Sequence, residues 1–181
     1  EGDLGVRHNA VSILELVGTA QLLRDAGLPS ADEKRVVEYC QNLTPAQLPR
    51  ETWEIGVDRG LAKAAVRLGV ERHVGSLELA YIPGAGETFI QTGKDLRGLK
   101  TIIGTGGPVI FAKEPRAILN EALFNPSNPC LLKPVQPRFM LDKTYILYAL
   151  GLLSVKYPCQ ALHVAKKNLI SCNTLRRSTY G

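Results

Sequence analysis

A glycine-rich turn is the strongest chemical signal in the chain. Residues 103–108 read Ile-Gly-Thr-Gly-Gly-Pro and follow a short β-branched run, as a buried strand that feeds a tight turn would. Glycines let the backbone turn sharply and approach a flat or charged ligand closely. Pro108 lacks an N–H, and neither a Walker pattern nor Gly-x-Gly-x-x-Gly occurs. The turn therefore suits a purine or a ribose better than a phosphate cradle, and a tight turn that binds nothing is the alternative.

Two weaker candidates lie elsewhere. Glu1 and Asp3 flank a glycine, and such carboxylates can hold a metal-bound water or a ribose hydroxyl. The alternative is a solvated terminus or an Asp near a helix N-terminus. Arg72 and His73 end a predicted helix, where the helix dipole favours cations, and Gly75 fits a left-handed cap. No Ser or Cys nucleophile is paired with His73 by pattern, so the catalytic residues stay unknown.

Composition limits the class of protein. The 181 residues are 45% hydrophobic and 22% charged, which suits one globular domain, and no apolar run reaches the roughly 20 residues of a membrane span. Four scattered cysteines and three histidines indicate neither a metal site nor a disulfide framework, so we expect a cytoplasmic protein. The net charge of +5 collects near the C-terminus instead of forming a stripe, so neither a nucleic acid nor a membrane is an expected partner.

Periodicity predicts an α/β fold with a mixed or parallel sheet flanked by helices. A small helical insertion is expected over about 28–57, and a flexible basic tail over about 170–181. In residues 141–153, Asp142 is expected to be the N-cap of a helix that packs on the core. The predicted helices are 10–24, 31–42, 58–72, 116–124, 142–155 and 160–169, and the predicted strands are 77–82, 88–91, 101–103 and 130–132.

Five strings in order resemble the MutL proteins associated with clostridial glutamate mutase and related adenosylcobalamin-dependent aminomutases. They are residues 1–7, 71–75, 93–96, 103–107 and 141–152, with Tyr-Ile-Leu-Tyr-Ala-Leu-Gly-Leu in the last. Together they run over nearly the whole chain, which makes the set far more specific than any one string.

This resemblance implies a ribonuclease H-like, actin-like ATPase of the sugar kinase and Hsp70 superfamily, of which residues 1–181 would be the second, adenosine-contacting lobe. In that superfamily a glycine-rich turn contacts adenosine, which corresponds here to Gly104, Thr105, Gly106 and Gly107, with Asp3 as a further candidate. The implied cofactors are ATP and Mg²⁺. Phosphate and Mg²⁺ are held mainly by two upstream hairpins that this sequence does not contain, so hydrolysis is expected only of a full-length, two-lobed protein.

The implied function is that of a chaperone-like reactivating or accessory factor for an adenosylcobalamin-dependent mutase, which is the expected partner. Two alternatives stay open. The chain could be a non-catalytic interaction module that binds a mutase subunit, or part of a small-metabolite kinase of the same superfamily.

Overall fold

The computed structural model describes residues 2–84 and 86–172, which form a mixed α/β structure with two small sheets. The helices are α1 (Ala10–Val17), α2 (Thr19–Ala26), α3 (Glu33–Asn42), α4 (Thr52–His73), α5 (Gly107–Ile110), α6 (Pro115–Leu119), α7 (Leu147–Ser154) and α8 (Pro158–Asn168), with 3-10 turns at Ser30–Asp32 and Asn120–Ala122. The strands are β1 (Ser76–Ile82), β2 (Gly86–Thr92), β3 (Thr101–Gly104), β4 (Arg138–Asp142) and β5 (Leu169–Ser171). Within the described residues no helix is both long enough and apolar enough to cross a membrane.

The first predicted helix is two helices. Gly18, with φ of 76°, separates α1 from α2. The helix stop predicted at Gly27 is confirmed, since Gly27 follows α2 in the left-handed conformation. The long helix α4 begins at Thr52 rather than at Asp58, because Glu51 and Glu54 form a capping box that the sequence reading missed.

Small residues bring α2 and α4 into close contact. A Cβ on Gly56 would lie 2.9 Å from the carbonyl oxygen of Ala26, and one on Gly60 would lie 3.0 Å from Leu22. The segment 28–57, which we expected to be an insertion, contributes to the same core as the rest of the chain. Its buried side chains are Val36, Tyr39, Cys40 and Val57. Residues 173–181 of the expected tail lie outside the described residues, and residues 169–171 form β5.

The predicted hairpin is confirmed, since β1 and β2 pair antiparallel from Ser76 opposite Thr92 to Ile82 opposite Gly86. At the base of the hairpin, the backbone before β1 passes very close to the end of β2. A Cβ on Gly75 would lie only 2.3 Å from the carbonyl oxygen of Thr92. Gly75 is therefore needed for close backbone approach. The expectation that it provides a left-handed cap was wrong, since α4 ends in the extended residue Val74.

The second sheet has the order β3-β4-β5, with β3 parallel to β4 and β5 antiparallel to β4. The sequence reading missed β4 and β5. It extended the helix of α7 back to Asp142, which ends β4 instead. The expected strand 130–132 is reduced to one bridge, between Ser76 and Leu131.

A partly buried ion pair joins Arg7, which precedes α1, to Asp58 of α4. The Arg7 guanidinium donates to the Asp58 carboxylate, whose Oδ1 is buried without a hydrogen-bond partner among the described residues. Burial raises the pKa of Asp58 to about 6, and Arg7 offsets only part of this effect. The charged form of Asp58 is thus less favourable in the folded protein than in water.

This burial predicts a pH dependence of stability. The pKa of Asp58 is higher in the folded than in the unfolded protein, at about 6. The contribution of Asp58 to the free energy of unfolding is therefore fully present below about pH 4 and is lost as the pH rises through about 6. The total loss is about 2 to 3 kcal/mol. Urea unfolding of the wild type and of Asp58→Asn between pH 4 and 7 measures it. The stability of the wild type relative to the variant should fall over this range, and a rise would contradict the account.

Candidate functional site

The two parallel strands place the glycine turn and Asp142 at one edge of the sheet. Gly104 pairs with Leu141, so the residues that follow in each strand leave the sheet side by side. Ligands of open sheets bind at this carboxyl edge, because the loops that leave neighbouring parallel strands meet there. The site predicted at residues 104–107 therefore lies where an α/β fold can hold a ligand.

The Asp142 carboxylate holds this edge together. It is fully buried and accepts hydrogen bonds from the Thr105 hydroxyl at 3.2 Å, from the Leu147 N–H at 3.0 Å and from the Ile146 N–H at 3.2 Å. The Asn168 amide donates a fourth. One carboxylate thus joins the glycine turn, the start of α7 and the end of α8.

These hydrogen bonds keep Asp142 charged. Burial by itself raises the pKa of Asp142, but the donors from Leu147, Ile146, Asn168 and Thr105 favour the carboxylate and hold the pKa below its usual value. A buried charge is tolerated only when its oxygens are satisfied in this way. Asp142 therefore acts as a structural anion whose oxygens accept hydrogen bonds from other groups of the chain.

A second set of bonds closes the loop between β4 and α7. The Asn168 side-chain oxygen accepts from the Thr144 hydroxyl and, at 3.2 Å, from the Thr144 N–H. Tyr145 follows with a φ of 54°, a conformation that non-glycine residues rarely adopt. The sequence reading missed Asn168, because its partners lie more than 20 residues away in the chain.

The glycines of the turn have different roles. A Cβ on Gly104 would lie 2.9 Å from Leu141, 2.9 Å from Val109 and 3.0 Å from Leu119, so this glycine is required by packing. Gly106 has a φ of 90° and nothing within 4 Å of its missing Cβ, and Gly107 meets only the Phe111 ring edge at 3.8 Å. Only Gly106 and Gly107 leave space for a ligand.

The start of α5 agrees with the reading of Pro108. Gly106 is the N-cap, and its carbonyl oxygen accepts from the N–H groups of Val109 and Ile110 at 3.1 and 3.0 Å. Pro108 occupies the first turn and presents no donor. Phe111, at the end of α5, is 80% exposed beside the turn, a feature that the sequence reading did not single out.

Asp3 is bonded to a different residue from those that hold the glycine turn. Its carboxylate pairs with Arg72 near the end of α4, at 2.8 and 2.9 Å, and this hydrogen-bonded partner lowers the pKa of Asp3. The structure thus links Asp3 to Arg72, whereas it links Thr105 of the turn to Asp142. His73 Nδ1 lies 3.0 Å from the carbonyl oxygen of Gly69 in its own helix. Among the described residues, no group of three or more His, Cys, Asp or Glu side chains could hold a metal ion.

A match to a known protein family covers every residue of the glycine turn and of the Asp142 network. The family model described as "MutL protein" matches residues 1–169, which include the glycine turn, Asp142 and Asn168. The chain belongs to the MutL family. It is 38% identical over 170 residues to Protein MutL of Clostridium tetanomorphum. That alignment covers 94% of this chain and 36% of the relative, so the chain spans about a third of a curated MutL protein. No solved structure matches this MutL chain.

The Asp142 network predicts a large loss of stability on its removal. Asp142→Ala leaves several buried donors of the MutL chain without an acceptor and should lower the free energy of unfolding by about 2 to 4 kcal/mol. Asp142→Asn, which keeps one acceptor oxygen, should lose less. Urea denaturation measures both.

A matched control removes a surface carboxylate. Asp95→Ala deletes the exposed hydrogen bonds that the Asp95 carboxylate accepts from Arg97, and it should change stability far less than Asp142→Ala does. Equal losses for Asp142→Ala and Asp95→Ala would show that the buried network does not hold the edge together.

Proposed function

We propose that this MutL chain is the adenosine-contacting lobe of an actin-like, ribonuclease H-like ATPase, with the base and ribose lying against Gly106 and Gly107. The observation that carries the proposal is the pairing of an open glycine surface with a buried brace. The missing side chains of Gly106 and Gly107 leave space, while Asp142 fixes the turn through Thr105.

Rigidity supports a binding role for the turn. A loop that is ordered before the ligand arrives costs less conformational entropy on binding. The Asp142 carboxylate accepts hydrogen bonds from Thr105, Ile146, Leu147 and Asn168. It therefore orders the turn, and it directs little negative charge toward a nucleotide. The exposed Phe111 ring offers an aromatic surface beside the opening, on which a purine can stack.

The proposed cofactors are ATP and Mg²⁺, in a full-length protein. Neither Asp142 nor Asp3 fits a Mg²⁺ site well, because Asp142 is buried with four hydrogen bonds and Asp3 is paired with Arg72. We therefore assign Mg²⁺ to the phosphate end of the nucleotide, away from the glycine turn, and we assign no hydrolytic step to a residue of this chain. Asp3 stays a prediction as a contact to a ribose hydroxyl.

The proposed biological role follows the family resemblance. A cytoplasmic ATPase that closes on ATP and opens after hydrolysis can couple this cycle to a bound protein. We propose an adenosylcobalamin-dependent glutamate mutase or aminomutase as that protein, with the full-length ATPase as its chaperone-like reactivating or accessory factor.

Filling the open side of the turn should abolish nucleotide binding. Gly106→Val places a branched side chain where adenosine is proposed to lie and should weaken ADP or ATP binding at least tenfold, or about 1.4 kcal/mol or more, in isothermal titration.

Gly84→Val is the matched control, because Gly84 also has a positive φ, of 87°, and open space around its missing Cβ, but lies in the hairpin loop. It carries the same backbone strain and should leave binding unchanged. Unchanged affinity in Gly106→Val, or an equal loss in both variants, would contradict the adenosine contact.

A further inference from the structure

Helix α7 is apolar on every side and yet mostly exposed. Its sequence is Leu-Tyr-Ala-Leu-Gly-Leu-Leu-Ser, and of its residues only Leu150 is buried. Tyr148 is 68% exposed, Leu152 75% and, just beyond the helix, Val155 89%. A helix that is apolar all round normally lies inside a protein, because burial of such side chains is worth about 1.5 to 3 kcal/mol each.

Helix α8 extends this surface. Tyr157 and Leu162 are 43% and 56% exposed and belong to the helix pair that α7 and α8 form. We define the α7–α8 surface as the exposed apolar residues Tyr148, Leu152, Val155, Tyr157 and Leu162. Exposed apolar side chains gathered on two packed helices are typical of an interaction site.

The charged side chains of the segment that carries this surface all have one sign. Residues 143–168 contain no Asp or Glu, whereas Lys143, Lys156, Lys166 and Lys167 lie at the ends of α7 and α8 and are exposed. Two copies that met through this surface would bring like charges together, which costs free energy. A covering surface should instead be apolar at its centre and acidic at its rim.

The length of the MutL relative indicates which part of a MutL protein could cover the α7–α8 surface. The matched segment is 36% of the C. tetanomorphum relative, so about two thirds of that polypeptide is not represented by this chain. Apart from Lys156, whose Nζ lies 5.4 Å from the centre of the Tyr157 ring, the residues of the α7–α8 surface are apolar. Such a surface resembles a permanent contact within one protein more than a transient one, because obligate interfaces are the more apolar class.

We propose that in full-length MutL the α7–α8 surface is covered by the part of the polypeptide outside the matched segment, through an apolar patch with an acidic rim. This inference rests on family membership and on the exposure of α7, and it holds whether or not the glycine turn binds a nucleotide. Since α7 begins at the Asp142 network, the covering segment lies close to that turn.

Hydrogen exchange and a charge substitution test the proposal together. A full-length MutL is built in which residues 1–169 replace the matched segment of the C. tetanomorphum protein, and it is compared with this chain alone and with the unaltered relative. Amides of α7, and of the aligned helix in the relative, should exchange at least tenfold more slowly in both full-length proteins than in the chain alone.

Leu152→Asp and Leu48→Asp provide the matched pair. The two leucines are 75% and 74% exposed, but only Leu152 belongs to the α7–α8 surface. Leu152→Asp should lower the melting temperature of the full-length protein by several degrees and leave that of the chain alone unchanged. Leu48→Asp should change neither.

Four results would overturn the proposal. The first is equal exchange of α7 in the chain and in both full-length proteins, and the second is a full-length protein indifferent to Leu152→Asp. The third is a dimer of the chain at micromolar concentration that Leu152→Asp dissociates, which would make a second copy the occupant. The fourth is binding of full-length MutL to vesicles of anionic phospholipid that Leu152→Asp abolishes, which would make a membrane the occupant.

Discussion

The fold of the second sheet depends on one buried charge. Asp142 ends β4 inside the protein, and a carboxylate there is stable only with nearly every lone pair satisfied. Its four donors come from the glycine turn, the start of α7 and the end of α8, so satisfying the charge also fixes those elements relative to each other. This single requirement therefore constrains the positions of the turn and of the two helices.

This requirement also explains why the edge combines a rigid turn with open space. Gly104 is closed in by Leu141, Val109 and Leu119, which anchors one end of the turn in the core. The Thr105 hydroxyl is hydrogen-bonded to Asp142, and the next two residues, Gly106 and Gly107, form the open part of the turn. The same network starts α7, whose apolar surface is exposed, so the proposed ligand contact and the proposed protein contact share one support.

Features set by local sequence could be predicted, and features set by distant contacts could not. The alternation around the Pro-Gly-Ala-Gly loop indicated the β1–β2 hairpin, and the β-branched run before Gly104 indicated β3. Asp142 was expected to cap a helix, and it does accept hydrogen bonds from the N–H groups of Ile146 and Leu147. It does so from the end of a strand, a placement that the pattern Asp-Lys-Thr-Tyr cannot distinguish from an ordinary N-cap.

The missed features are those that need a partner. Strand β5 follows α8 without a glycine or proline and forms because residues 169–171 can pair with β4. Asn168 carries no local signal for its bonds to Thr144 and Asp142. Gly75 was read as a helix cap because the crossing with Thr92 is invisible in the sequence. The MutL assignment was predicted from the order of five strings, and the family match confirms it.

The central claim is that the braced glycine turn contacts adenosine. Backbone amide shifts of the ¹⁵N-labelled chain during a titration with ADP, with adenosine alone as a second ligand, test it most directly. The account predicts that both ligands shift the amides of Thr105, Gly106 and Gly107 and leave those of the hairpin unchanged. Shifts that appear elsewhere while the amides of residues 105–107 stay unchanged would contradict it.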